Sequence, residues 1–132
     1  MIRINQSKIA DIGYYINLTR RTDRKELNEL NITGIERYAG VETAGVNNGV
    51  INCLNSHYNL YKKLINSEHE ILLVLEDDCL FLDYFKDNYE EIFDNIHKTD
   101  WDIFWIGCQN RKEPKYYKNK TYQVSSPNYA QS

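Results

Sequence analysis

In 132 residues the chain has only three cysteines, two prolines, six glycines and one methionine. Cys53, Cys79 and Cys108 are odd in number, widely separated and form no C-x-x-C pair, so the spacing indicates neither a zinc site nor a disulfide framework. Free thiols suit a reducing compartment. No apolar h-region lies between Met1 and Asp11, so the expectation is a cytoplasmic protein. No run approaches the ~18 apolar residues of a membrane span. Charge of one sign is also lacking: 16 basic against 19 acidic residues leave a net −3, and nothing global draws nucleic acid or an anionic membrane. What remains is the composition of a globular domain, 42% hydrophobic and 27% charged. Its length suits one domain with a single core.

Apolar periodicity then sets the order of elements. Gly13 to Leu18 (GYYINL) is aromatic and β-branched and predicts a first strand, ended by Thr19-Arg20-Arg21-Thr22. A helix is expected from about Asp23, capped by Thr22, with Leu27 and Leu30 on one face. Ile35 to Val41 predicts a short second strand, and Gly45 to Gly49 a loop. From Ile51 to Ile65, Leu54, Tyr58, Tyr61, Leu64 and Ile65 recur at helical spacing and predict a face turned to the core. Ile71 to Leu75 predicts a strand buried on both faces, and Asp83 to His97 a helix with Phe85, Tyr89, Ile92, Phe93 and Ile96 as its apolar stripe. Asp102 to Ile106 (DIFWI) predicts a further buried strand carrying Trp105, with Trp101 beside it. A polar loop through Lys112 to Lys115 follows, and a strand at Tyr122 to Val124. Strands alternating with helices predict an α/β fold, a mainly parallel sheet with helices on both faces.

The chemistry is concentrated where the Ile71 strand runs into Glu76-Asp77-Asp78. Open α/β sheets bind ligands at the C-terminal ends of their strands. Three adjacent anions repel one another and resist desolvation unless a cation offsets them. A hard divalent ion with oxygen ligands, bridging to a phosphate, meets that need. Alternation along a strand lets Glu76 and Asp78 face one site together. The bland alternative, a solvated acidic turn, is the commoner fate of an isolated triplet. Arg20, Arg21 and Arg24 follow the first strand at the same sheet edge, and a guanidinium fork suits phosphate oxygens. Clustered charge alone is more often a solvated surface. His57, after Ser56, is by itself an ordinary helical histidine, and no Ser-His-Asp or Cys-His set assembles.

Four blocks, in order, resemble the family-25 glycosyltransferases, the lipooligosaccharide and collagen sugar transferases. They are Tyr15-Ile16-Asn17-Leu18 with Arg20-Arg21-x-Asp23-Arg24; Gly49-x-Ile51-x-Cys53-x-x-Ser56-His57; Leu73-Val74-Leu75-Glu76-Asp77-Asp78-Cys79; and Asp100-Trp101-Asp102-Ile103-Phe104. Asn52 stands where the family commonly has Gly. The resemblance implies a Rossmann-like fold of the GT-A type, a UDP-sugar donor, often UDP-galactose, a divalent metal, usually Mn2+, and inversion at the anomeric carbon. It implies that Asp78 ligates the metal directly, that Asp77 and Glu76 support metal, ribose or sugar, that Arg20, Arg21 and Arg24 lie near the donor nucleotide, and that Ser56 and His57 shape its pocket. The acceptor would be a glycan or protein hydroxyl, as in lipopolysaccharide biosynthesis or galactosyl transfer to collagen. No catalytic base can be named.

Family domains continue for about another hundred residues, near the upper part of the single-domain range. Residues 1–132 are therefore expected to be one nucleotide-sugar-binding domain without the acceptor side, which a second copy in a homo-oligomer is one way to complete. The rival reading is a shortened, non-catalytic nucleotide-sugar-binding or scaffold domain. A phosphatase-like or response-regulator-like domain using the acidic cluster for magnesium fits the topology but not the four blocks.

Overall fold

A computed structural model describes residues 3–24, 31–45 and 48–107, and the backbone of four short strands beyond them. The chain divides into two compact units, Met1–Tyr89 and Glu90–Gln131. It is α/β: the described residues form two parallel sheets, two antiparallel strand pairs and two α-helices.

The first unit is organised by a three-stranded parallel sheet. β2 (Ile12–Asn17) lies between β4 (Glu36–Ala39) and β5 (Leu72–Glu76). A smaller parallel pair joins β1 (Ile4–Asn5) to β3 (Ile32–Thr33) and buries Ile4 against Ile32. As the middle strand, β2 alternates strictly and buries Gly13, Tyr15 and Asn17. Gly13 is needed at this position because Gln6 crosses it closely: a Cβ there would lie 2.7 Å from Gln6 Cγ. Asp11 clamps the other end of the sheet, its Oδ2 accepting from Glu70 N at 3.0 Å and Ile71 N at 2.9 Å.

β5 buries Leu73 and Leu75 while Leu72, Val74 and Glu76 are half-buried, so it is buried more on one face than the other. The register pairs Ile16 with Glu76 and Asn17 with Ala39. All three strands therefore end together, and the segments after Asn17, Ala39 and Glu76 leave from one edge.

α1 (Gly49–Ile65) begins two residues before the expected start because Asn48 caps it, its Oδ1 accepting from Val50 N and Ile51 N at 3.1 and 3.3 Å. Its orientation corrects the sequence reading. Leu54, Tyr58, Tyr61 and Ile65 are exposed, between 43% and 78%, while Ser56 and Leu60 are buried and Cys53, His57 and Leu64 half-buried. Both sets keep helical spacing. The face carrying Cys53, Ser56 and His57 turns inward, where Glu76 at the end of β5 and Val41 N just after β4 bond to it.

α2 (Asp83–Ile96) is the expected helix, with Tyr89, Phe93 and Ile96 buried. In the first unit its Tyr89 hydroxyl accepts from Asn5 N at 3.1 Å. In the second, Trp101 donates through Nε1 to Ile96 O at 3.0 Å and packs edge-on against Phe104. The strand expected at 102–106 does not form, and Ile103 is 65% exposed. A strand needs a neighbour to bond its backbone, and among the described residues none pairs with this stretch.

Beyond it, β6 (Gln109–Asn110) pairs antiparallel with β9 (Pro127–Asn128), and β7 (Lys115–Lys118) with β8 (Thr121–Gln123). Lys115 is thus in a strand where a loop was expected, and β8 matches most of the expected strand. Thr22–Arg24 forms a single 3-10 turn. The remainder of the helix expected there, with Leu27 and Leu30, lies outside the described residues, as do Cys108 and Val124.

Candidate functional site at the sheet edge

The acidic segment lies where the sheet ends. β5 stops at Glu76, and Cys79 N bonds back to Glu76 O at 3.1 Å, so Asp77 and Asp78 ride on a turn. The alternation of a strand no longer applies there, and the three carboxylates part company.

Asp77 goes inward. It is 8% exposed, accepts from Asn17 Nδ2 at 2.8 Å and from Arg24 Nη1 at 3.4 Å. Asn17 is fully committed: its Nδ2 also donates to Arg21 O at 3.0 Å, and its Oδ1 accepts from Arg37 Nε at 2.9 Å. Arg37 also donates to Asn17 O at 3.2 Å. A guanidinium, a neutral amide, a carboxylate and a second guanidinium thus run in sequence from Arg37 to Arg24. Each buried polar atom meets one of opposite sign, the condition for tolerating such a chain below the surface.

Asp78 stays at the surface. Its side chain is 50% exposed, and Arg24 Nη1 is 3.7 Å from its Oδ2. Arg24 therefore spans both carboxylates of the turn. The other two arginines are held elsewhere. Arg21 grips Asp23 with both arms at 3.0 and 2.8 Å, and that hydrogen bond holds the Asp23 carboxyl down at about 2. Arg20 bonds Glu42 at 2.7 Å. Of the arginine loop, Arg24 is the member brought to the acidic turn.

Glu76 turns towards α1. Its Oε1 accepts from Cys53 Sγ at 3.3 Å and lies 3.5 Å from His57 Nε2. The His57 contact and then the Cys53 bond pull its carboxyl below the usual glutamate range, against the opposing effect of burial. His57 Nδ1 is 3.4 Å from the Tyr61 hydroxyl, one helical turn on. Cys79 is different: burial, then Asp78 and Glu76, push its thiol above the ordinary cysteine range. Ser56 is buried and its hydroxyl is used twice, accepting from Val41 N at 2.8 Å and donating to Asn52 O at 3.0 Å, so it ties α1 to the segment after β4.

Asn17 and Cys53 stand in the resembling blocks with no site role expected of them, and Arg37 is in none of the blocks. Asn17 carried a signal, a polar residue at an inward position of an apolar strand. Arg37 carried none, because its partner is set by parallel register with β2. Chemically, the edge offers an exposed carboxylate and a guanidinium fork side by side, an oxygen donor for a hard cation next to a donor for phosphate oxygens.

Residues 36–132 match the family profile described as Glycosyltransferase family 25 (LPS biosynthesis protein). Among curated relatives, Procollagen galactosyltransferase 2 of Homo sapiens is 33% identical over 110 residues, 76% of this chain and 18% of that protein. Procollagen galactosyltransferase 1-B of Xenopus laevis is 28% identical over 128 residues, 74% of this chain and 21% of that protein. A Glycosyltransferase 25 family member of Aedes aegypti is 35% identical over 66 residues, 49% of this chain and 11% of that protein. The chain thus spans about a fifth or less of the length of these relatives. No solved structure matches. Among the described residues, no helix is long and apolar enough to cross a membrane.

Proposed function

The chain belongs to glycosyltransferase family 25, and on that premise we propose that the edge carrying Arg24 and Asp78 binds the diphosphate of a UDP-sugar, galactose being the sugar named in the relatives. The observation that carries this reading is the placement of Arg24 beside both Asp77 and Asp78 where three parallel strands end. Ligand-binding crevices of open α/β sheets lie there.

The donor set suits a hard divalent cation such as Mn2+. Asp78 presents a half-exposed carboxylate, while Asp77 is pinned by Asn17 and Arg24 and supports it from behind. When bound, such an ion would supply Lewis-acid stabilisation of the charge that develops on the leaving diphosphate. Arg24 donates to phosphate oxygens, and Arg20 and Arg21 can join it by exchanging their bonds to Glu42 and Asp23. Ser56 holds α1 against the end of the sheet, and His57 pairs with Glu76 beside the turn. In the whole protein an acceptor hydroxyl of a glycan or protein attacks the sugar carbon opposite the diphosphate, with inversion.

Calorimetric titration of UDP, with Mn2+ and with chelator, tests the reading. We expect tighter binding with Mn2+, and Asp78→Asn should lose the Mn2+-dependent part while keeping its circular dichroism. Equal affinity in both conditions overturns the metal role, and no UDP binding in either overturns the donor site.

A further inference from the structure

Cys53, His57 and Glu76 place a sulfur, a ring nitrogen and a carboxylate oxygen within 4.8 Å of one another. We infer that these three side chains form a Zn2+ site of their own, separate from the oxygen-rich turn at Asp78. Cys53 and His57 are one helical turn apart on the inward face of α1, which sets both over the end of β5. Tetrahedral zinc, with bonds of ~2.0–2.3 Å, keeps its donor atoms roughly 3.3–3.6 Å apart. The structure has Cys53 Sγ at 3.3 Å and His57 Nε2 at 3.5 Å from Glu76 Oε1, so these two pairs already have zinc spacing, and the third pair, Cys53 with His57, closes within 4.8 Å.

A second observation supports the site. With Nε2 on the metal, Nδ1 must carry the proton, and the Tyr61 hydroxyl is 3.4 Å from it as acceptor. This outer-shell bond fixes ring and tautomer in metal-binding histidines. Charge balances as well: the Cys53 proton is released to solvent, and thiolate plus carboxylate offset the dication. The mixed sulfur, nitrogen and oxygen set selects zinc over manganese or magnesium. Three protein ligands leave a fourth position for water or a donor atom of a bound molecule. The sequence showed no such site because its ligands come from a helix and a strand, 23 residues apart at their widest.

The test titrates the full chain with Zn2+ against a chromogenic chelator and records the optical spectrum of the Co2+ form. We expect one tight equivalent, tetrahedral cobalt bands and a thiolate charge-transfer band. Cys53→Ser should abolish that band. His57→Gln and Glu76→Gln should each weaken Zn2+ by more than the ~10–100-fold typical of losing an outer-shell partner. Asp78→Asn and Cys79→Ser should leave it unchanged. An octahedral cobalt spectrum, a charge-transfer band that survives Cys53→Ser, or absence of a tight equivalent in the unaltered chain overturns the proposal. The cobalt spectrum of the unaltered chain decides the matter even where a variant fails to fold. The outcome is independent of UDP binding.

Discussion

Asn17 donates its side-chain amide to Asp77 at 2.8 Å in a buried setting, joining the end of β2 to the turn after β5 across 60 positions of sequence. The bond decides which aspartate is structural and which faces solvent. With Asp77 drawn under the sheet edge, Asp78 is left outward beside Arg24. The amide orientation follows from its surroundings: guanidinium donors lie on its oxygen side and a carboxylate on its nitrogen side.

Asn17→Ala should therefore destabilise the fold by ~1–3 kcal/mol, the cost of leaving a buried polar partner unsatisfied. Asn17→Asp should be worse, because it sets a second carboxylate against Asp77. Urea denaturation followed by circular dichroism reads both. A change within ~0.5 kcal/mol, as for an ordinary surface substitution, would show that the bond contributes little.

The three arginines should not be equivalent in nucleotide binding. Arg24→Ala should weaken UDP by ~1.5–3 kcal/mol, the range for a hydrogen bond to a charged group, and hardly affect uridine. Arg20→Ala and Arg21→Ala should cost less, since each must first leave Glu42 or Asp23. Calorimetry with UDP and uridine gives the ranking. Equal losses for the two ligands with Arg24→Ala would assign Arg24 a purely structural role.

In the metal-free protein Glu76 makes stability depend on acid. Its folded pKa is lowered, chiefly by His57, so its contribution is complete above the unfolded glutamate range and is lost as pH falls through the folded value. Urea midpoints should decline from the ordinary glutamate range downward, and Glu76→Gln should flatten that decline. Parallel curves for the two proteins would mean that Glu76 titrates alike folded and unfolded.

Local pattern determined most of the elements. The apolar, β-branched runs at Ile12–Asn17 and Leu72–Glu76 form strands, the periodic stretches at Gly49–Ile65 and Asp83–Ile96 form helices, and Glu76 to Asp78 end a parallel strand at the edge where Arg24 arrives. Periodicity reports which residues share a face, because that is a property of one helix or strand. It does not report which face meets the sheet. For α1 the tertiary structure chose the side carrying Cys53, Ser56 and His57, since Glu76 and Val41 N give those groups partners at the sheet edge. The stretch at 102–106 is apolar enough for a strand, but a strand exists only by pairing, and no partner is set beside it among the described residues. The same reason separates Asp77 from Asp78. Their sequence environments are nearly identical, and only the parallel register that carries Asn17 and Arg37 to the sheet edge makes one of them buried and bonded.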